Sequence, residues 1–276
     1  MLYAKSLEEL QDMLVWLMEE LLQVGLQLNG TKSKILTTMA THVDFVDIRG
    51  EMFEVIDEVS VHKYLGRHLT GDLDDRGPSE AKHRIQAAWH QFHKYQKQLT
   101  NKNVSVKLRL KLFDAVVSPC LLFGMAVLPL YQHWLSKIDT TQRKMIRHIV
   151  GWIRMPNEMW EVTMRRMKLK VATALCQWDV KPWSARIAKN QWLHAVRVNS
   201  MTSDRWAKLC ARWEPARIND QALLTRPSRD KGRPYLRWDD NLSKYCGNQF
   251  GTKWYDVSDA SMAEHIEQYC DYVGGG

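Results

Sequence analysis

The feature that most constrains this chain is a change of pattern near residue 75. From there to about residue 200, apolar residues recur every three or four positions with few breaks. That period suits helices and cannot be satisfied by the two-residue repeat of a sheet. Ser79 is expected to cap a helix with the stripe Ile85, Ala88, Trp89, Phe92, Tyr95 and Leu99. Ser105 opens the next, with Leu108, Leu112, Val116 and Leu121 inward, and Pro119 should kink it by removing a donor and crowding the preceding turn. A third helix is expected from about His133 to Val150, ended by Gly151. Others should cover Asn157 to about Leu175, Ser184 to Val198 and the neighbourhood of Trp206 and Leu209. Two short helices are expected to close the chain, Trp238 to Tyr245 and Ser261 to Val273, the second with its own capping box, Ser261-x-x-Glu264.

The first 75 residues read differently. Ser6-x-x-Glu9 is a capping box before Leu7, Leu10, Leu14, Leu17, Met18, Leu21 and Leu22 at helical spacing, and Gly25 supplies the stop. Leu26 to Asn29 is extended. Strands are expected over Lys34 to Thr38, Val43 to Ile48 and Met52 to Ile56, the last two joined by a turn at Arg49-Gly50-Glu51. One more strand runs from Val61 to Leu69. The acidic stretch Gly71 to Pro78 is a loop by composition. The class is therefore α+β, one helix and a small antiparallel sheet followed by a mostly helical region. The expected segments are 1–75, a helical 76–152, a helical basic 153–213, a Pro/Arg-containing linker over 214–234 and short helices over 235–276.

Charge is distributed unevenly along these segments. Residues 1–75 hold 6 Lys/Arg against 14 Asp/Glu, residues 76–238 hold 31 against 10, and residues 239–276 hold 2 against 7. The middle stretch, net +21, is the electrostatic signature of a polyanionic partner. Eleven of the 12 tryptophans fall from Trp89 onward, where indoles beside arginines can stack on bases or anchor helices. No uninterrupted apolar run reaches the length of a membrane span, and no membrane partner is expected. No basic leader precedes a compact apolar stretch. Five scattered cysteines without a C-x-x-C point to reduced thiols in an intracellular protein and to no zinc site of ordinary spacing. His265 and Cys270 read as helix residues.

Several blocks, in order, resemble the reverse transcriptases of non-LTR (LINE-type) retrotransposons. Leu2 to Leu10 is similar to the segment after that family's Ala-Asp-Asp motif. Gly25-Leu26-Gln27-Leu28-Asn29-Gly30-Thr31-Lys32-Ser33-Lys34 resembles the next block, and Lys63-Tyr64-Leu65-Gly66 the primer grip. Leu108 to Phe113, Leu121 to Gly124 and Gln142 to Trp152 are similar to the thumb. Lys231-Gly232-Arg233-Pro234, Arg237-Trp238-Asp239-Asp240 and Trp254 resemble the C-terminal region of such elements.

The resemblance implies a partial palm, a helical thumb and a helical tail. It also implies that the family's metal-binding aspartates have no counterpart in this chain, so no catalytic residue, metal ligand or cofactor is assigned; Mg2+ belongs to an intact family member. Asp74-Asp75 and Asp239-Asp240 read as solvated surface pairs. By resemblance, Lys32, with Lys34 second, stands where the family has a lysine that helps protonate the leaving pyrophosphate. That role is vacant without the metal site, so a surface lysine flanking a strand is the other reading. By the same resemblance, Tyr64, Leu65 and Gly66 meet a primer end, or they simply close a strand into a loop. Further contacts to nucleic acid are expected from Lys107, Arg109, Lys111, Arg143, Lys144, Arg147, Arg165 and Arg166. Arg143 and Arg147 share a helix face, whereas Lys107, Arg109 and Lys111 are spread around theirs. Arg229, Lys231, Arg233 and Arg237 around Pro234 form a basic arm, a nuclear-import patch or a plain solvated linker. The expected partner is RNA or an RNA–DNA hybrid, bound without sequence choice. Two other readings stand beside it: a helical module for an acidic protein, and a relic without selected function.

Overall fold

The computed structural model describes residues 2–37, 43–56, 60–70, 75–212 and 237–274. The chain divides into two compact units, Met1–Arg76 and Gly77–Gly276. Its class is α+β, with helices dominating the second unit.

In the first unit, α1 spans Leu7–Gln23. Ser6 Oγ accepts from Glu9 N at 3.2 Å, and the Glu9 carboxylate turns back to Lys5 N at 2.7 Å, so two amide donors at the helix entry are satisfied. At the other end Gly25 takes φ +74°, and Leu26 N reaches Leu21 O at 2.9 Å. This is the left-handed helix exit that glycine makes cheap. Only the middle of the apolar stripe packs: Leu14 is buried with Ile35, Val46, Ile48 and Phe53, while Leu7 and Leu22 stay exposed.

Three strands, β1 (Lys34–Leu36), β2 (Phe45–Ile48) and β3 (Glu51–Ile56), form a sheet in the order β1-β3-β2. The expected β2–β3 hairpin is present, with Ile48 opposite Glu51 and both turn residues, Arg49 and Gly50, at positive φ. β1 joins β3 in parallel, so this sheet is mixed, and the wholly antiparallel pairing occurs elsewhere. Gly30 lies close under β3: a Cβ there would sit 2.8 Å from Met52 O. The single strand expected over Val61 to Leu69 is instead a hairpin, β4 (His62–Tyr64) and β5 (Arg67–Leu69). Leu65 and Gly66 form its two-residue turn at φ 47° and 77°. Tyr64 pairs with Arg67 across it, and the turn was hidden because Leu65, a residue type that seldom adopts positive φ, occupies its first position.

The second unit is helical. α2 spans Arg76–Lys94, so Ser79 is buried inside it and caps nothing. Pro78 lies in the first turn, where backbone donors lack intrahelical acceptors anyway. Gly77 is packed so tightly that a Cβ would lie 2.1 Å from Pro129 O. α3 (Gln96–Leu99) and α4 (Val106–Val116) follow, Ser105 Oγ accepting from Leu108 N. The expected kink at Pro119 is a break: α4 ends, and α5 (Ser118–Leu122) starts with the proline in its first turn. α6 (Gln132–Val150) ends at Gly151, φ 86°. α7 spans Trp160–Gln177, starting later than expected, since Asn157 adopts φ 59° in the loop before it. α8 (Trp183–Asn199) and α9 (Trp206–Arg212) follow.

α8 is the central beam, packed against α5, α6 and the C-terminal helices. Trp183 stacks on Phe113 and donates its indole N–H to Ser118 Oγ at 2.9 Å. Asp139 on α6 caps α8 from outside, accepting from Ser184 N at 2.9 Å and from its hydroxyl at 2.5 Å. Buried residues of these helices form one continuous core, including Phe92, Leu110, Phe113, Leu121, Ile138, Ile146, Trp183 and Trp192.

The tail holds α10 (Asp240–Phe250), α11 (Asp259–Glu264) and α12 (Ile266–Gly274). α10 starts two residues beyond Trp238. Ser258, accepting from Ser261 N, is the cap of α11, so Ser261-x-x-Glu264 is not a capping box. The linker expected over 214–234 lies outside the described residues. Among those described, Val106–Val127 is long and apolar enough to cross a membrane, contrary to the expectation from uninterrupted runs. That stretch is divided between α4 and α5, and its Leu110, Phe113, Val117, Leu121 and Met125 belong to the core.

Candidate nucleic-acid interface

The expected contact residues separate into those left at the surface and those committed to the fold. In the first unit Lys32 is exposed, in a turn where its N–H donates to Asn29 Oδ1 at 3.0 Å. Lys34 is half-buried and ion-paired with Glu54 across the parallel β1–β3 pair. Tyr64 and Leu65 are exposed and Gly66 half-buried, at the tip of the β4–β5 hairpin. A hairpin tip, not a continuous strand, is therefore what this motif builds.

On α4, Lys107 and Lys111 are exposed. Lys107 Nζ lies 5.3 Å from the Trp178 ring centroid. Arg109 is buried, donating through Nε to Val104 O at 3.0 Å and through Nη1 to Ile149 O. Burial lowers its pKa. An arginine that closes two backbone carbonyls inside the fold cannot also reach a phosphate, so Arg109 leaves the contact set.

Arg143 and Lys144 are exposed on α6, with Arg143 donating to Thr140 Oγ1 at 3.3 Å. Arg147, one turn on, is half-buried, its guanidinium 5.3 Å from the Trp152 ring centroid. Arg165 on α7 is exposed. Arg166 is committed: it grips Glu158 in a bidentate pair, Nε–Oε1 2.9 Å and Nη2–Oε2 2.8 Å, and donates to Ile153 O at 2.6 Å. Glu158 also accepts from Met155 N at 3.1 Å and the Thr163 hydroxyl at 2.7 Å. Led by the Arg166 and Thr163 hydrogen bonds, these contacts hold its carboxyl down at about 2. Arg154 ties the same loop to Glu158 O. Arg166 thus builds the 151–159 loop.

Among the described residues no carboxylate pairs with Lys107, Lys111, Arg143, Lys144 or Arg165. They are among the cations the helical unit presents to solvent. The fixed loop beside them carries features that spacing did not reveal: Trp152 and Trp160, ring centroids 5.7 Å apart, with Trp160 57% exposed. Trp152 closes the thumb-like block in the sequence, but nothing in the spacing singles out Trp160.

The acidic pairs also need correction. Asp239 is not solvated: it is buried and accepts from the Trp254 indole N–H at 2.9 Å. Trp238 packs edge-on against Trp254, and its carbonyl accepts from Gln191, whose Oε1 takes the Tyr269 hydroxyl at 2.5 Å. Arg237-Trp238-Asp239 and Trp254 therefore tie the tail to α8. Asp240 is half-buried and accepts from Arg237 N at 2.8 Å. Asp75 is half-buried, while Asp74 and the arm residues Arg229, Lys231 and Arg233 lie outside the described residues. Among the described residues no three His, Cys, Asp or Glu side chains gather as a metal site.

The second unit thus defines a class: a helical body with solvent-facing cations beside a rigid aromatic loop. In comparisons with known proteins, no family model matches the chain and no solved structure does. A Caenorhabditis elegans protein, described as an uncharacterized transposon-derived protein, is 25% identical over 233 residues, covering 84% of this chain and 77% of that one. This likeness supports a transposon-related origin.

Proposed function

We propose that this chain derives from a non-LTR retrotransposon reverse transcriptase and that its helical unit binds the backbone of RNA or an RNA–DNA hybrid without sequence choice. The observation that carries this is the set of exposed cations without a carboxylate partner among the described residues, Lys107, Lys111, Arg143, Lys144 and Arg165, in a stretch of net charge +21. Arg109 and Arg166 take no part, and Arg147 contributes beside Trp152. Such cations displace counterions from phosphates and do not read bases. The ordered sequence blocks and the transposon-derived relative support the lineage. Lys32 and the Tyr64–Gly66 hairpin tip have their place in the same proposal as primer-side contacts of the partial palm, with Lys34 already paired to Glu54. Filter binding of the purified chain to single-stranded RNA at low salt tests the activity. Retention that falls as salt rises is expected; no retention at the lowest salt overturns it. With primed RNA, dNTPs and Mg2+ the chain is expected to show no sustained incorporation, and sustained incorporation would refute the assignment of no catalytic residues.

A further inference from the structure

The loop between α6 and α7 holds apolar and aromatic groups out in water. Trp160 is 57% exposed, Met159 69% and Met155 51%, and Trp152 lies half-buried beside Trp160 at an angle of 53°. Such a patch is costly to display and marks a contact surface. It is also built to stay in place. The Glu158 carboxylate, gripped by Arg166 and bonded to Met155 N and the Thr163 hydroxyl, fixes the loop from within. Arg147 covers one ring of the pair, Trp152, which leaves Trp160 as the open π-surface.

Charge decides what this surface fits. Between Arg143 and Gln177 the sequence has 8 Lys/Arg and 2 Asp/Glu, and one of those acids, Glu158, is already neutralised by Arg166. The other, Glu161, is exposed one residue beyond Trp160. Arg143 and Arg147 share a helix face about 6 Å apart along the axis, and that face leads to Trp152. The complementary ligand carries closely spaced negative charge and flat, unpaired rings. An acidic protein segment supplies the charge, but only a nucleic acid pairs every negative charge with a flat ring for the exposed indole.

We infer that Trp160, backed by Trp152 and flanked by Arg147 and Arg143, is a base-stacking platform that gives the helical unit a preference for single-stranded nucleic acid. It presupposes the phosphate binding proposed above and adds a strand-state preference to it. In a duplex the base faces are already stacked on one another, so only a single strand can offer them. Every base has a π-face, so the platform does not select sequence, and nothing in it distinguishes ribose from deoxyribose.

The experiment is fluorescence anisotropy on the full chain with labelled oligouridylate, oligothymidylate and a duplex of equal length, at one salt concentration. Wild type is expected to favour both single strands. Trp160→Ala should weaken single-strand binding roughly tenfold and leave duplex binding nearly unchanged, as loss of one stacked base would. Trp160→Phe should restore most of the loss. The side chain is largely in solvent, so the variants should fold, and circular dichroism checks this. Arg143→Ala with Lys144→Ala should weaken both strand states together. An unchanged single-strand affinity in Trp160→Ala, an equal loss on duplex, or polyglutamate competing as well as oligouridylate overturns the platform. Absence of binding to all three probes overturns the phosphate reading beneath it.

Discussion

The cations of this chain differ in what they do, and the difference follows from where each side chain ends. Arg109 and Lys107 lie two residues apart on α4, yet Arg109 closes two backbone carbonyls in the interior while Lys107 faces solvent. Arg109→Ala would leave those carbonyls unpaired, and a loss of about 1–3 kcal/mol is expected from urea midpoints. Lys107→Ala should cost under about 0.5 kcal/mol. Similar losses for both would contradict the assignment.

Glu158 gives a pH prediction at the same scale. Its carboxyl is held below its ordinary value of 4.5, at about 2, chiefly by hydrogen bonds from Arg166 and Thr163. A depressed carboxyl contributes stability that is full above its unfolded value and fades as pH falls toward the folded one. Urea midpoints should therefore drop between about pH 4.5 and pH 2, and Glu158→Gln should flatten that drop. An identical acid limb in the variant counts against the Glu158 network. None of this was legible beforehand: Arg165 and Arg166 are adjacent in the sequence, and only packing decides which one turns inward.

Helices were the readable elements, because a stripe at period 3.6 demands a buried face whatever it packs against. Their ends were less readable. Ser79 and Ser261 looked like caps by residue type, but a cap also requires the preceding residues to leave helical geometry. Around Ser79 they do not, since Gly77 lets the helix press against Pro129 O. That contact makes a prediction of unusual sign. In an open helix interior, Gly to Ala stabilises by about 1 kcal/mol. Gly77→Ala should instead destabilise, by roughly 1–3 kcal/mol, because the new methyl meets a backbone carbonyl that cannot swing away. A raised melting temperature would show that the close approach is absent. The Leu65–Gly66 turn was missed because leucine rarely takes the positive φ that the first turn position requires, which left Gly66 as the one turn signal. The cap of α8 was unreadable for another reason: Asp139 reaches it from a helix 45 residues away in sequence.

The two units differ in how much they bury. The first rests on a small cluster around Leu14, Val46 and Phe53, with Trp16, Leu22 and Leu26 exposed. The second shares one core through most of its helices. Small cores offset chain entropy poorly, so limited proteolysis is expected to cut within 2–70 before it cuts the helices of 77–212. The reverse order contradicts this. The class α+β and the basic character of the middle stretch could be read from pattern and composition, since both are sums over many residues. The proposed contact surface could not, because it depends on which individual cations and indoles the core leaves outside.

The central claim is that exposed cations of the helical unit neutralise phosphates. Its most direct test is the slope of log K against log salt for a single-stranded RNA, measured for wild type and for Arg143→Ala/Lys144→Ala. Each lost phosphate contact should reduce the slope by about 0.7, so the double variant should be shallower by roughly 1.4. A slope unchanged by removing both cations, with affinity intact, would contradict the account.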